Sequence, residues 1–286
     1  MIPLSCTVRG CGAPLHQANR SFVCDRGHAF DVARSGYVSL LQPQDRKSLY
    51  AGDSRAAVQA RTELLTAGIG AALLDAVVAR AATLHLEGQP PVVVELGCGS
   101  GDSLGRLAAT REIAGAGIDL STAAAAEAAR RFPSLTWVVA NADRRLPLLD
   151  ASVDLAVSVH ARRNPTECRR ILRTDGFLLV AVPGPSDLIE LRELVQGEAV
   201  HRDRVQALVA EHDACFTVLE QTSATQTLDL DRGALRNLLR GTYRGERLSE
   251  SPRVQSLDRL TVTLASDIVL FKPRTGHGHQ AVGDGR

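Results

Sequence analysis

Residues 92–103 read "VVVELGCGSGDS". A run of valines passes through Glu95 into a loop with glycine at 97, 99 and 101. Such a run, closed by glycine, predicts a strand buried on both faces and a tight turn into a helix over about 102–110. Alternating glycines let a ligand approach the backbone where a helix begins. A dinucleotide fingerprint would need its third glycine at position 102, where this chain has Asp102. A carboxylate there, with Glu95 close by, is a poor host for a pyrophosphate and a good host for a positively charged ligand.

Downstream of this stretch, strand-like and helix-like segments alternate. "IAGAGIDL" (113–120) predicts a second strand, "TAAAAEAARRF" a helix and "LTWVVAN" (135–141) a third strand. "VDLAVSVH" (153–160) and "FLLVAVP" (177–183) predict strands four and five, with a helix near 165–173 between them. The alternation implies an α/β fold, an open parallel Rossmann-like sheet that binds ligands beyond the carboxyl ends of its strands. Asp119 ends the second strand, 18 residues after Gly101, where it can hold a ribose diol. Asp143, after the third strand in "ANADRRLPL", can accept from an adenine amino group. The candidate cofactor set is Glu95, Gly97, Cys98, Gly99, Gly101, Asp102, Asp119, Leu120, Asn141 and Asp143, with Cys98 offering its backbone. Acids at three successive strand ends suit S-adenosylmethionine, whose sulfonium and ammonium are both cationic. The pattern looks like that of class I methyltransferases.

Upstream lies "CTVRGCGAPLHQANRSFVCDRGH" (6–28), where Cys6 and Cys11 form one close pair and Cys24 and His28 another. Three thiolates and an imidazole on two turns close a tetrahedral zinc sphere with no open position, so the expected metal role is structural. "SFVC" predicts a short strand in this small ribbon, and His16 is read as an exposed loop residue, with a substitute ligand as the alternative. Clustered thiols favour metal over disulfides in a reducing compartment, and the start "MIPLSCTVRG" lacks a signal-peptide pattern, so a cytoplasmic location is expected. No apolar run reaches membrane-spanning length. The formal charge of +1 excludes a general polycation, and nucleic acid would need a local basic patch. The expected organisation is a zinc ribbon at 1–40, a basic helical linker at 41–88 split near Gly68 and Gly70, the sheet domain at 89–274, and a disordered tail at 275–286.

With both halves in view, the chain resembles the bacterial 23S rRNA guanine-N1 methyltransferases, a family that includes a macrolide-resistance enzyme. The resemblance runs from about Cys6 to Pro273 and is carried by "CGAPL", "CDRGHAFDVARSGYVSLL", "GDSRAAVQAR", "VVELGCGSG", "GIDLS", "NPTECRRILRTDGFLLVAVPGPSDLIEL" and "LDLDRGALRNLL". It implies S-adenosylmethionine as methyl donor, structural zinc and a 23S rRNA hairpin as partner. No membrane or DNA partner is implied, and a homodimer is compatible with it. The chain departs from the family where its first cysteine pair is two residues wider, where "HARRNP" follows strand four, and where "RGTYRGERL" replaces an aromatic.

Guanine N1 carries a proton at neutral pH, so its methylation needs that proton removed or held. His160, at the end of strand four, is the candidate base, and Arg162, Arg163 and Asn164 are candidates to hold guanine O6 or a phosphate. Tyr37, Tyr50 and Tyr243 are candidates for base stacking. Candidate phosphate contacts are Arg34, Arg46, Lys47 and Arg55 on one side and Arg236, Arg240, Arg244 and Arg247 on the other. Two alternatives stay open: a methyltransferase of the same descent acting on a small molecule or another RNA, and a non-catalytic RNA-binding protein.

Overall fold

The computed structural model describes residues 1–42, 52–196, 203–241 and 257–274. Arg46, Lys47, Tyr50, Tyr243, Arg244, Arg247 and the 275–286 tail lie outside the described residues. The chain opens with three short antiparallel strands, β1 (His16–Ala18), β2 (Ser21–Val23) and β3 (Ala29–Asp31), followed by β4 (Tyr37–Ser39). Two helices follow, α1 (Arg55–Thr66) and α2 (Ala71–Ala82). The Ser54 hydroxyl caps α1 by accepting from Ala57 N, and Gly70 opens α2 in the left-handed region. The split expected at Gly68 and Gly70 is where the chain turns.

The sheet domain then runs β5 (Val92–Leu96), α3 (Asp102–Thr110), β6 (Ala114–Asp119), α4 (Thr122–Arg131), β7 (Thr136–Val139), β8 (Val153–Val159), α5 (Pro165–Ile171) and β9 (Leu172–Pro183). Helices α6 (Ile189–Gln196) and α7 (Arg204–His212) lead to a long antiparallel hairpin, β10 (Phe216–Asp231) and β11 (Arg259–Pro273), with α8 (Arg232–Arg240) after β10. Among the described residues the large sheet has the order β10-β11-β9-β8-β5-β6-β7-β4, parallel from β4 to β9. Strand order reverses about β5, so the crevice outside the carboxyl ends of β5 and β8 is the topological place for a ligand. No single helix among the described residues is long and apolar enough to cross a membrane.

Each face of the sheet buries its own cluster. One gathers Val94, Leu96, Ile118, Val138, Leu178 and Phe271, and the other Val93, Leu104, Leu107, Trp137, Leu155 and Leu270. The amino-terminal module has no separate core of its own: Leu4, Leu15 and Phe22 belong to the first cluster together with Leu146 and Leu148. Its strand β4 pairs in parallel with β7, Tyr37 opposite Trp137, and so forms the edge of the large sheet. The helical 52–82 stretch also lies on the sheet domain, with α2 against α3 and β10 and α1 against α8 and α4.

Trp137 is the largest fully buried side chain, and its indole N–H donates to Phe132 O at 2.9 Å. Trp137→Ala should therefore lower the unfolding free energy by about 3–5 kcal/mol, the usual cost of emptying a buried aromatic site. Urea denaturation followed by far-UV circular dichroism checks this without relying on the lost fluorophore.

Candidate functional site

Gly97, Gly99 and Gly101 all have positive φ, which admits glycine and strains any other residue. Their reasons differ. A Cβ at 97 would lie 2.2 Å from Ala161 Cβ, and one at 101 would lie 2.4 Å from Trp137 Cη2. A Cβ at 99 meets nothing within 4 Å. Two glycines thus let protein pack against the loop, and Gly99 faces open space that a ligand can fill. Gly97 N and Cys98 N both donate to Ile118 O, which ties the loop to β6, and the Cys98 side chain is buried.

Asp119 sits at the end of β6 as expected and accepts from Gly99 N at 2.9 Å and from Ser121 N at 2.8 Å. Burial raises its pKa, opposed by those two backbone donors. Ser121, next to the half-exposed Leu120, also donates its hydroxyl to Asp53 O, and this brings the segment before α1 against the end of β6. Asp53 in turn pairs with Arg61 of α1.

Glu95, 3% exposed near the end of β5, accepts from the Ser103 hydroxyl through Oε1, while Oε2 has no partner among the described residues. Burial pushes its pKa up to about 8, held back by Ser103 and Leu104 and pushed further by the nearby Asp102 and Asp119. A void of about 10 Å³ lined by Val77, Val78, Leu104 and Val157 makes that side apolar. A buried carboxyl oxygen without a donor fits a cationic ligand, and the open space above Gly99 leaves room for a ligand of any charge to approach.

Asp102 is where the sequence puts it, but its charge is engaged. Arg131, at the end of α4, grips it with two bonds of 2.7 Å, and the Ser100 hydroxyl donates at 2.6 Å. Arg131 also reaches Ser100 O at 3.2 Å. Asp102 therefore fixes the loop to α4 and is not an open anion for a ligand.

At the third strand end, Asn141 Oδ1 accepts from Asp143 N, and Arg162 stands 3.4 Å from Asp143 Oδ2. His160, with φ +51, holds Ser266 Oγ of β11 through Nε2 at 2.9 Å. Its outer surface is exposed, yet desolvation of the ring, with Arg204 adding to it, pushes its pKa down to about 4. Asn164 caps α5, accepting from Glu167 N. Arg163 departs from the expected ligand-holding role, because its side chain is 9% exposed and turns inward to His212 Nε2 and Ala161 O. Arg34, Arg55, Arg236 and Arg240 are exposed, while Tyr37 is half-buried against the Trp137 cluster.

The ligand atoms of Cys6, Cys11, Cys24 and His28 all lie within 4.8 Å of one another. Cys6 Sγ and Cys24 Sγ are each 3.4 Å from His28 Nδ1, and Cys11 Sγ is 3.9 Å from Cys24 Sγ. Tetrahedral zinc with bonds of about 2.3 Å to sulfur and 2.0 Å to nitrogen requires about 3.8 Å between sulfurs and 3.5 Å from sulfur to nitrogen. The donor set and its spacing fit zinc with all four positions filled by protein. His16 is exposed, 3.9 Å from Asp25.

Comparison with known proteins finds a family match over each half of the chain. The family described as "Methyltransferase domain" matches residues 93–176, and a zinc ribbon described as "RlmA, N-terminal" matches residues 5–49. The 23S rRNA (guanine(748)-N(1))-methyltransferase of Streptomyces fradiae is 39% identical over 227 residues, covering 79% of this chain and 80% of that protein. The chain belongs to the 23S rRNA guanine-N1 methyltransferase family. A member named in the same class from Micromonospora griseorubida is 34% identical over 295 residues, covering 94% of this chain and 97% of its own. A methyltransferase-type structure from Bacillus halodurans superposes with TM-score 0.51 at 14% identity, over 70% of this chain and 98% of its own, which shows the shared fold.

For a chain of this family, Arg131 and Ser103 are the residues that the sequence did not disclose. Arg131 is 29 residues from the carboxylate it holds, and no spacing rule connects them. Removing it would leave Asp102, 10% exposed at its side chain, without a counter-charge. Arg131→Met should cost about 2–4 kcal/mol, below the full price of a buried pair because the guanidinium keeps some water contact. The double variant with Asp102→Asn should recover part of that loss in a thermal-melt cycle.

Proposed function

We propose that the chain transfers a methyl group to N1 of a guanine in a 23S rRNA hairpin, using S-adenosylmethionine. Family membership supports the reaction, and the arrangement of Glu95, Gly99 and Asp119 at adjoining strand ends is the observation that carries the cofactor reading. S-adenosylmethionine, when bound, supplies an electrophilic methyl on a positively charged sulfur. Glu95 Oε2 would meet the cationic amino-acid end, Gly99 would let the ligand lie on the loop, and Asp119 would hold the ribose diol. Asn141 and Asp143 would border the adenine, with Leu120 beside it, and the Cys98 backbone would meet the cofactor. Gly97 and Gly101 would act by letting Ala161 and Trp137 shape that floor, and Asp102 by anchoring it to Arg131.

On the acceptor side, His160 is uncharged at neutral pH, so it would offer a lone pair or an N–H to the guanine edge and no positive charge. Arg162, held beside Asp143, would meet guanine O6 or a phosphate, and Asn164 would contribute by fixing the start of α5. S-adenosylmethionine would supply the methyl group, and the residues on the acceptor side would orient guanine N1 toward it as the N1 proton passes to a base or water. Orientation of N1 against the methyl is the main protein contribution. In this reading the 1–40 module and its basic flank bind the hairpin, residues 41–88 carry that flank to the 89–274 domain, and the protein works in the cytoplasm, where a homodimer is compatible with the activity.

Incubation with labelled S-adenosylmethionine and unmodified 23S rRNA, followed by mass-spectrometric mapping, should give one N1-methylguanine. Asp119→Ala should lose the activity and keep its zinc; full activity in that variant would contradict the cofactor reading. Absence of RNA labelling alongside intact cofactor binding would move the substrate to a small molecule.

A pH test follows from Glu95. Its raised pKa keeps it protonated below about 8 in the free protein, and a bound cation favours its ionised form. Binding should therefore release a proton below pH 8, and affinity should rise between pH 6 and 8, by at most about tenfold per unit, then level off. Calorimetry in two buffers of different ionisation enthalpy reads that proton, and Glu95→Gln should flatten the profile.

A further inference from the structure

The zinc cluster and the adenine-side loop are joined by a short chain of bonds. Residues 141–145 hang between two anchors. At the first, Leu40 N donates to Val139 O at 2.9 Å, just past the last register of the β4–β7 pairing, Ser39 opposite Val139. At the second, Ser5 N donates to Pro147 O at 3.0 Å, Leu149 N donates to Pro3 O at 2.9 Å, and Leu4 faces Leu148 in an antiparallel bridge. Both anchors are residues of the amino-terminal module.

They converge on one metal ligand. Cys6 lies between Ser5, which holds Pro147, and Thr7, whose hydroxyl donates to Leu40 O at 2.7 Å. Gln42 Nε2 donates to the same Thr7 hydroxyl at 3.0 Å. Cys6 N and O are also both taken, by Ala13 O and Gly12 N, so the residue has little freedom once its sulfur is fixed. Leu4, Leu146 and Leu148 are fully buried and transmit any shift of this strand directly.

We propose that the zinc module is a positioning element of the cofactor pocket: the metal, through Cys6, fixes the strand and the Thr7–Leu40 link that together brace residues 141–145. The inference rests on the cofactor reading above, since Asn141 and Asp143 border the ligand only there. Thr7, Ser5 and Leu40 are positioning residues, because they act through the loop. A second hold on the carboxyl end exists in Arg170 of α5, which donates to Leu146 O and Leu148 O. The loop should thus loosen without zinc and not be lost.

The test measures binding of S-adenosylhomocysteine by calorimetry, with zinc content and far-UV circular dichroism recorded in parallel. Chelator-stripped protein that keeps its helical signal should bind about tenfold more weakly than the zinc-loaded form, the worth of about one ordering hydrogen bond. Thr7→Val keeps size and all four metal ligands and removes the hydroxyl. It should retain zinc, weaken binding several-fold and leave the stripped and loaded forms closer in affinity. Ser21→Ala, which removes an exposed bond to Asp31 within the same module, should change neither zinc nor affinity. Should stripping unfold the chain, the zinc-loaded Thr7→Val protein decides alone. Wild-type affinity in that variant, or in folded stripped protein, would overturn the proposal. Absence of binding by the zinc-loaded wild type would instead overturn the cofactor reading, and the coupling with it.

Discussion

Everything at this site depends on how tightly the backbone turns between β5 and α3. Three neighbours press on that turn: Ala161 beneath Gly97, Trp137 beneath Gly101, and the Asp119 carboxylate on Gly99 N. The contacts come from just past the end of β8, from within β7 and from the end of β6, so the loop's shape is set by the registers of three parallel pairings. Side chains at 97 or 101 would have to displace a packed methyl or a buried indole. That fixes the floor of the pocket before any ligand arrives, which is the preorganisation that methyl transfer needs.

The sheet's other edge explains why a small metal module accompanies it. Strand β4 is three residues long and would be a poor edge by itself. Its module contributes Ile2, Leu4, Leu15 and Phe22 to the cluster that also holds Leu146 and Leu148. A ribbon of three-residue strands cannot bury enough surface to fold alone, and metal ligation supplies the missing organisation. The apolar face that the module leaves over is then covered by the sheet domain. Metal, module and sheet edge form one unit of packing.

Features whose signal is local were legible in the sequence. The buried strand into glycines, the Gly68–Gly70 break and the two metal-ligand pairs each lie within a few residues, where periodicity and spacing operate. Features set by distant partners were not. Asp102 reads as a free acid until Arg131 is placed beside it, and Arg163 reads as a holder of guanine O6 or a phosphate until His212 is found beneath it. The long hairpin was also hidden. Strand β10, "FTVLEQTSATQTLDLD", forms the sheet's outer edge and is largely exposed, so its polar residues give little alternation to detect. Strand β4 escaped for a related reason, since its pairing with β7 is made across about a hundred residues of chain.

The distribution of charge around the loop discriminates between ligands more sharply than the glycines do. Of the three acids that meet there, Asp102 is neutralised by Arg131, Asp119 is held by two backbone N–H groups, and Glu95 keeps one oxygen without a donor. Burial raises the pKa of Glu95 and of Asp119, so this part of the protein resists holding negative charge. A pyrophosphate would add anions to a place already unfavourable for them. A cationic ligand eases the same penalty, because a positive centre beside Glu95 favours its ionised form. The penalty of an ionised Glu95 in the free protein is one that only a positive charge can offset, and Arg131 already occupies Asp102.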